Sequence, residues 1–306
     1  MAIGQNLPIL AADYNGIQTN VQNTLGTGSG DRGYGQAVTS AQVSQGNLIT
    51  AQHMINLKTD IDKISYHQTN TASSAPSVSV GGTILASDWS TYSTQITNLT
   101  ASRLTIFGVN EAAGFTPIQS TWLLDVATSA ISTWNATRIH TATIDFTTAD
   151  AARYFFNTGG EIRVLPRHTG NSGGTSPTTT KGDRWRIMFN NLGIRGVRFG
   201  ANGTQSTGGV SAGSIGYYQL TTTNQNIHTT TDTGTYAGNV FKVDARRDAT
   251  GRYVYLDITF ADIGLFGASP PGDEPVEGTT TSSIGSFRAT GSYVSVAAPT
   301  ITATAL

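Results

Sequence analysis

The sequence contains no cysteine, few charged residues and no long apolar run. Without cysteine, the chain can form neither a disulfide nor a thiolate metal or iron–sulfur site, and it has no thiol nucleophile. Charged residues make up 12% of the chain and the formal net charge is −1, so the composition lacks the positive excess that nucleic-acid binding requires. Since no apolar run approaches the roughly 18 residues of a membrane-spanning helix, the sequence also predicts no membrane partner.

The 306 residues include 35 glycines, 11 phenylalanines, 11 tyrosines and four tryptophans. This aromatic content distinguishes the chain from disordered proteins, and a chain of this length can bury a large core without disulfides or metals. A free monomer with so few charges would be poorly soluble, because surface charge keeps protein molecules apart. The composition therefore favours a folded structural protein that associates with itself.

An internal repeat organises the first hundred residues. The repeat comprises Ile9, Ala11, Tyr14, Ile17 and Val21, then Ile49, Ala51, Met54, Leu57 and Ile61, then Ile84, Ala86, Trp89, Tyr92 and Ile96. From the third member onward, spacings of three and four residues place these side chains on one face of a helix. Each repeat therefore predicts a short amphipathic helix, and residues 26–36 and 69–80 are predicted to be connecting loops.

The remaining pattern predicts further helices and then strands. The predicted helices cover residues 120–135, 147–158 and 183–193. In the last of these, residues 185–189 also alternate like a strand, but we favour the helix. Beyond Gly193 the period changes to two, which is typical of strands with one buried face. The predicted strands cover residues 217–223, 224–230, 241–245, 253–260, 286–291 and 293–298, with a hairpin loop at residues 248–251.

These elements predict an α+β fold. We expect an N-terminal half of repeated short amphipathic helices and a C-terminal half that forms an antiparallel β-rich, sandwich-like domain. The predicted boundaries are 1–110 for a helical repeat and anchoring region, 111–200 for a mixed helix–strand region and 201–306 for a β-rich domain.

Several motifs match catalytic or binding patterns in spacing alone. Residues 28–33 have the glycine spacing of a dinucleotide fingerprint, but they follow a predicted helix instead of a strand. Residues 170–174 and 209–213 have the spacing of a nucleophile elbow but lack the preceding apolar strand. Asp60 and Asp62 would point in different directions on a helix, and the five histidines are dispersed. We therefore predict no enzymatic activity, no catalytic residue, no cofactor and no metal site.

Several segments together carry a resemblance to a known family. They include Asp13-Tyr14-Asn15-Gly16-Ile17-Gln18, Leu25-Gly26-Thr27-Gly28-Ser29-Gly30, Gly33-Tyr34-Gly35-Gln36, Ile49-Thr50-Ala51-Gln52, Leu57-Lys58-Thr59-Asp60-Ile61 and residues 152–163. With the ending around residues 291–301, these segments resemble virion structural proteins of contractile-tailed marine cyanobacterial phages. The resemblance spans most of the chain. It implies a virion component that is made in the host cytoplasm and assembled into the phage particle.

The resemblance and the composition lead to one functional hypothesis with two alternatives. We expect a tail, neck or baseplate subunit of appendage or fibre type that mediates assembly contacts. The alternatives are a head-surface decoration protein and a receptor- or glycan-binding adhesin module. For the adhesin, Tyr217, Tyr218, Tyr253 and Tyr255 would supply aromatic surface.

The expected partners follow from the same hypothesis. They are further copies of the chain, as a homo-oligomer for which phage appendages suggest a trimer, other phage virion proteins and a host surface receptor. The residues predicted to make assembly contacts are Tyr14, Ile17, Tyr34, Leu57, Trp89 and Tyr92.

Overall fold

The computed structural model describes residues 9–107, 121–169, 181–193, 196–206, 214–233, 236–262 and 275–305. The chain forms two compact units. Unit 1 comprises Met1–Thr121, Arg153–Gly159 and Arg288–Ala297, and unit 2 comprises Trp122–Ala152, Gly160–Phe287 and Ala298–Leu306. This division differs from the three consecutive regions that we predicted, because two short segments from later in the chain belong to unit 1.

Unit 1 is built on three helices, α1 (Ala11–Thr24), α2 (Ala51–Thr69) and α3 (Ala86–Ala101). Each helix begins at the alanine of its repeat, which confirms the three predicted helices. The Tyr14 hydroxyl donates to the carbonyl of His53 at the start of α2 (3.2 Å), and the Thr24 and Thr100 hydroxyls lie 2.9 Å apart at the ends of α1 and α3. The helices are therefore parallel, and their three N-termini lie at the same end of unit 1.

The connections between these helices are long because each must return along the unit before the next parallel helix can begin. Buried and half-buried side chains of the helices hold the first connection in place. Asn15 on α1 bonds both backbone groups of Val43, at 2.9 and 2.8 Å, and Gln18 donates to the carbonyl of Ser40 (3.2 Å). The carboxylate of Asp60 on α2 accepts the Ser40 N–H at 2.7 Å. Side chains thus satisfy backbone groups that no helix or strand pairs here.

Unit 2 contains two five-stranded antiparallel sheets. The order in the first sheet is β1 (Thr121–Trp134), β9 (Val276–Arg288), β3 (Glu161–Thr169), β4 (Val197–Phe199), β5 (Thr204–Ser206). The order in the second sheet is β10 (Thr300–Ala305), β2 (Thr137–Asp145), β8 (Tyr253–Ala261), β7 (Val240–Arg247), β6 (Gln225–Thr231). Buried and half-buried residues alternate along β7 and β8, as the period of two predicted.

Two further helices, α4 (Ala149–Asn157) and α5 (Lys181–Asn191), confirm the helices predicted near residues 147–158 and 183–193. Trp185 of α5 contacts Trp134 on the first sheet, with 5.3 Å between ring centroids, and Phe260 on the second sheet at 6.0 Å. The His140 ring of the second sheet lies 2.7 Å from the Ser282 hydroxyl of the first. The inner faces of the two sheets therefore pack on each other, in an α+β fold with a sandwich-like second unit.

The helix predicted at residues 120–135 is wrong, because this segment forms strand β1. Its apolar residues fit a helical period, but half of its 14 residues favour extended backbone: three threonines, two tryptophans, one valine and one isoleucine. In the first sheet β1 is an edge strand that is hydrogen-bonded to β9. Pairing with a distant strand thus outweighs the local pattern.

Two predicted strands are also wrong. Residues 217–219 form a short 3-10 helix in which the Tyr217 N–H donates to the carbonyl of Gly200 (3.0 Å). Residues 293–298 make a single bridge, between Thr290 and Ser295, and the last strand is β10 instead. The strands predicted at 224–230, 241–245 and 253–260 correspond to β6, β7 and β8, and residues 286–288 end β9.

Candidate functional site

The glycine-rich loop of residues 26–36 is held in place by side chains of α4. The Asn157 amide donates to the carbonyls of Asp31 (3.0 Å) and Gly33 (2.9 Å), and the Arg153 guanidinium donates to the carbonyls of Gly30 and Arg32. The loop therefore directs these four carbonyl oxygens at its neighbours. A phosphate site requires the opposite polarity, with N–H groups directed at the ligand.

Backbone geometry accounts for the glycine spacing of this loop. Gly28 and Gly33 have positive φ angles of +62° and +97°, and a Cβ atom at either position would lie 2.5 Å from backbone atoms of Arg32 or Thr27. Gly30 has a positive φ of +62° with open space around it. The turn requires these glycines for its conformation, so the motif is explained without a cofactor.

The structure places all six predicted assembly residues inside unit 1. Its buried core includes Tyr14, Ile17, Tyr34, Leu57, Trp89 and Tyr92. The Tyr34 hydroxyl donates to the carbonyl of Arg103 (2.6 Å) and accepts from the Gln68 amide (2.8 Å), so its polar atom is satisfied within the unit. Burial raises the pKa of Tyr14 to about 12, which keeps that phenol protonated. Because none of the six side chains reaches the surface, we reassign them from assembly contacts to folding of unit 1.

Three exposed leucines mark a surface that the sequence analysis missed. Leu10 and Leu85 precede the first residues of α1 and α3, and Leu48 precedes α2 by three residues. The exposed fraction is 58% for Leu10, 56% for Leu85 and 85% for Leu48. Since the three helix N-termini lie together, these side chains lie at one end of unit 1, which we call the leucine end. The signal in the sequence is a leucine next to the repeat isoleucine, outside the apolar face of each helix.

The N-cap positions show that folding alone does not favour these leucines. Leu10 and Leu85 are the N-cap residues of α1 and α3, whereas α2 has Thr50, whose hydroxyl accepts a backbone N–H. A leucine has no acceptor for this role, and an apolar N-cap destabilises a helix by about 1 kcal/mol relative to Ser, Thr, Asp or Asn. Asp13 and Asp88 compensate in part by accepting the N–H groups of the two leucines, at 3.2 and 2.9 Å. The first and third repeats thus place an exposed leucine at a position where a polar N-cap residue would stabilise the helix more.

The four tyrosines considered for glycan binding do not form one surface. Tyr217 is buried, whereas Tyr253 and Tyr255 are half-buried on the outer face of the second sheet with ring centroids 6.0 Å apart. The guanidinium groups of Arg252 and Arg246 lie 4.6 and 4.0 Å from these two rings. The rings of Tyr253 and Tyr255 therefore already contact an arginine each. The adhesin alternative stays a prediction.

Buried histidines form another group of side chains that could act as acids or bases. Burial lowers the pKa of His67, His140 and His228 to about 4, so these imidazoles are neutral at neutral pH. His140 and Ser282, 2.7 Å apart, have the composition of a base and a nucleophile. Both side chains are fully buried between the sheets, so a substrate has no access to the hydroxyl. Their hydrogen bond joins the two sheets.

The acidic residues that the structure describes do not converge on a metal site. Asp60 binds backbone N–H groups of Thr39 and Ser40, whereas Asp62 binds Lys58 at 2.6 Å, so the two carboxylates point in different directions as predicted. Within the described ranges, no group of three histidine, aspartate or glutamate side chains could hold a metal ion. The elbow-like segments 170–174 and 209–213 lie outside the described residues.

The helices of unit 1 are amphipathic, and α2 carries four charged side chains along its 19 residues. In the part of the chain that the structure describes, no helix combines the length and apolar character that a membrane span requires. Comparisons with protein-family models, with curated proteins and with solved structures found no match to this chain.

Proposed function

We propose that the chain is a structural subunit of a tailed-phage virion and that copies of it associate through the leucine end. The sequence resemblance supports the virion, and the exposed leucines support the contact. The observation that carries the proposal is the convergence of Leu10, Leu48 and Leu85 at one end of three parallel helices. Fully burying an exposed leucine side chain contributes about 1.5–3 kcal/mol of favourable free energy. Covering this surface with another molecule therefore favours association.

A second copy of the chain is the partner that this surface favours. The carboxylates of Asp13 and Asp88 accept the backbone N–H groups of Leu10 and Leu85. They also lie in the first turns of their helices, where the helix dipole stabilises negative charge. Two leucine ends can therefore meet through apolar side chains without an unfavourable approach of unpaired charges.

The fixed connections of unit 1 favour such association further. Leu48 belongs to the connection between α1 and α2, which Asn15 and Asp60 hold through backbone hydrogen bonds at Val43 and Ser40. Leu10 and Leu85 are fixed by the helices that they begin. A surface whose backbone is already fixed loses little conformational entropy when it binds.

Incorporation into particles tests the proposal. A phage that lacks the gene for this chain is supplied in trans with the wild-type chain or with the triple variant Leu10→Ser, Leu48→Ser, Leu85→Ser. The matched control is Phe107→Ser, because Phe107 is a 39% exposed apolar residue of unit 1 whose N–H bonds the carbonyl of His67 near the end of α2.

We expect peptides of the wild-type chain and of Phe107→Ser in purified particles, and at least a roughly tenfold loss of the triple variant, as a contact weakened by about 1.4 kcal/mol or more would give. Far-UV circular dichroism of each purified variant verifies that unit 1 is folded. Absence of the wild-type chain from particles would refute the virion role. Full incorporation of a folded triple variant would refute the role of the leucine end.

A further inference from the structure

A lysine and an aspartate form a fully buried pair in unit 2. Lys181 is the first residue of α5, and Asp262 directly follows strand β8. The Lys181 Nζ atom lies 2.7 Å from Asp262 Oδ2, and both side chains are 0% exposed. Lysine and aspartate are almost never fully buried unless they are paired, and this pair uses one of only four lysines in the chain.

The surroundings of the pair are aromatic. Trp185 follows Lys181 by one helical turn, and Phe260 is the preceding inward-facing residue of β8 before Asp262. The rings of Trp185 and Phe260 lie 6.0 Å apart, and both also contact Phe189. The Lys181–Asp262 pair thus lies one helical turn from Trp185 and two residues from Phe260, beside the aromatic cluster between the two sheets.

Two physical effects make the burial of this ion pair costly. Removing an ammonium and a carboxylate from water carries a desolvation penalty of several kcal/mol per ion, on the order of the attraction between the two charges. In addition, a positive charge at the first residue of a helix faces the positive end of the helix dipole. Condensation to a neutral amide would remove both charges and both penalties.

We propose that the Lys181 side chain forms an isopeptide bond with the Asp262 side chain. A proton passes from the ammonium to the carboxylate across the 2.7 Å contact, which leaves an amine and a carboxylic acid. The amine nitrogen attacks the carboxyl carbon and a C–N bond forms. The C–O bond to the hydroxyl then breaks, and one water leaves with a second nitrogen proton. The amide keeps the third proton, so atoms and charges balance without a redox partner.

Such a bond would connect two parts of unit 2 that lie far apart in the sequence. It would fix the start of α5 to the end of β8, across 81 residues, and a cross-link over a long loop restricts the unfolded chain strongly. The chain has no cysteine for a disulfide, and an amide resists reduction. This inference does not depend on the proposed function, because it concerns the interior of unit 2 alone.

Mass spectrometry of the purified full-length protein tests the bond. We expect an intact mass lower than that of the linear sequence by about 18 Da, the mass of one water. Trypsin does not cleave after an acylated lysine, so we expect a peptide of residues 168–184 joined to a peptide of residues 253–288. Fragmentation then assigns the link to Lys181 and Asp262 and separates it from water loss elsewhere.

The chain offers an internal control for proximity. Lys242 Nζ lies 2.7 Å from Asp244 Oδ2, the same distance, but the Lys242 side chain is 41% exposed. We expect trypsin to cleave after Lys242, because water stabilises the charges of an exposed ion pair and the amide would not form there. Lys181→Arg and Asp262→Ala should each restore the mass of the linear sequence. An unmodified wild-type mass with free peptides ending at Lys181 would overturn the proposal, even if neither variant folds.

Discussion

The carboxylate of Asp60 should contribute more to the stability of unit 1 than any other charge on α2 that we have described. Asp60 is fully buried and accepts the backbone N–H groups of Thr39 (2.9 Å) and Ser40 (2.7 Å) from the connection between α1 and α2. It also pairs with Lys63 at 3.0 Å. Asp60→Ala removes all of these contacts and leaves the Ser40 N–H buried without an acceptor.

The expected loss follows from the environment of each contact. A hydrogen bond from a buried N–H to a charged acceptor contributes about 1.5–3 kcal/mol, which applies to Ser40. Thr39 is exposed, so water can replace the carboxylate there and the loss is about 1 kcal/mol. The half-exposed Lys63 adds less than about 1 kcal/mol. We therefore expect Asp60→Ala to lower the free energy of unfolding by about 3–4 kcal/mol, and Asp60→Asn by about half as much.

Urea denaturation followed by far-UV circular dichroism measures this effect, because α1, α2 and α3 supply 14, 19 and 16 helical residues to unit 1. Asp62→Ala is the comparison variant: it is the same change two residues later on α2, where the 22% exposed side chain pairs with Lys58 and accepts the N–H (3.0 Å) and the hydroxyl (2.6 Å) of half-buried Ser73. We therefore expect a smaller loss there, about 1–2 kcal/mol. Hydrogen exchange of residues 37–43 should accelerate in Asp60→Ala alone. Equal losses in the two alanine variants would refute the reasoning.

Further predictions concern the glycine loop and the buried histidines. Gly33→Ala should lower the free energy of unfolding by at least about 2 kcal/mol, because its φ is +97° and the new Cβ would lie 2.5 Å from the Thr27 carbonyl. Gly30→Ala, with open space around it, should lower it by about 1 kcal/mol; comparable urea midpoints for the two variants would argue against a crowded turn at Gly33. Burial lowers the pKa of His67, His140 and His228 from 6.5 to about 4, so the folded chain favours neutral imidazole more than the unfolded chain does. Their contribution to stability is fully present above pH 6.5 and is lost as the pH falls from 6.5 towards 4, at about 1.4 kcal/mol per pH unit for each histidine. Urea midpoints that stay constant between about pH 7 and pH 5 would contradict this assignment. This is roughly the pH range in which histidine titrates and most carboxylates do not yet titrate.

The sequence predicted the three helices of unit 1 correctly, but it did not predict which of its apolar residues lie at the surface. The repeat spacing placed α1, α2 and α3 correctly because one apolar face per helix is needed to build their shared core. It could not distinguish a residue buried within the chain from a residue buried against another subunit, since both are apolar. Tyr14, Leu57 and Trp89 were therefore assigned to assembly although they form the core of unit 1.

The errors in unit 2 have a different physical origin. In β1, residues such as Ile131 and Trp134 fit a helical period, but their strand lies beside β9, which begins at Val276. Contacts over such a sequence separation leave no trace in a local pattern. The pairing of Lys181 with Asp262 and that of His140 with Ser282 were unpredictable for the same reason.

The molecular mass of the purified chain in solution tests the central claim most directly. Light scattering behind size exclusion compares the wild type, Phe107→Ser and the triple variant Leu10→Ser, Leu48→Ser, Leu85→Ser at physiological salt. We predict a discrete multiple of 32.1 kDa for the wild type and the control, and 32.1 kDa for the triple variant. A wild type that remains at 32.1 kDa at every concentration, or a triple variant with the wild-type mass, would contradict association through the leucine end.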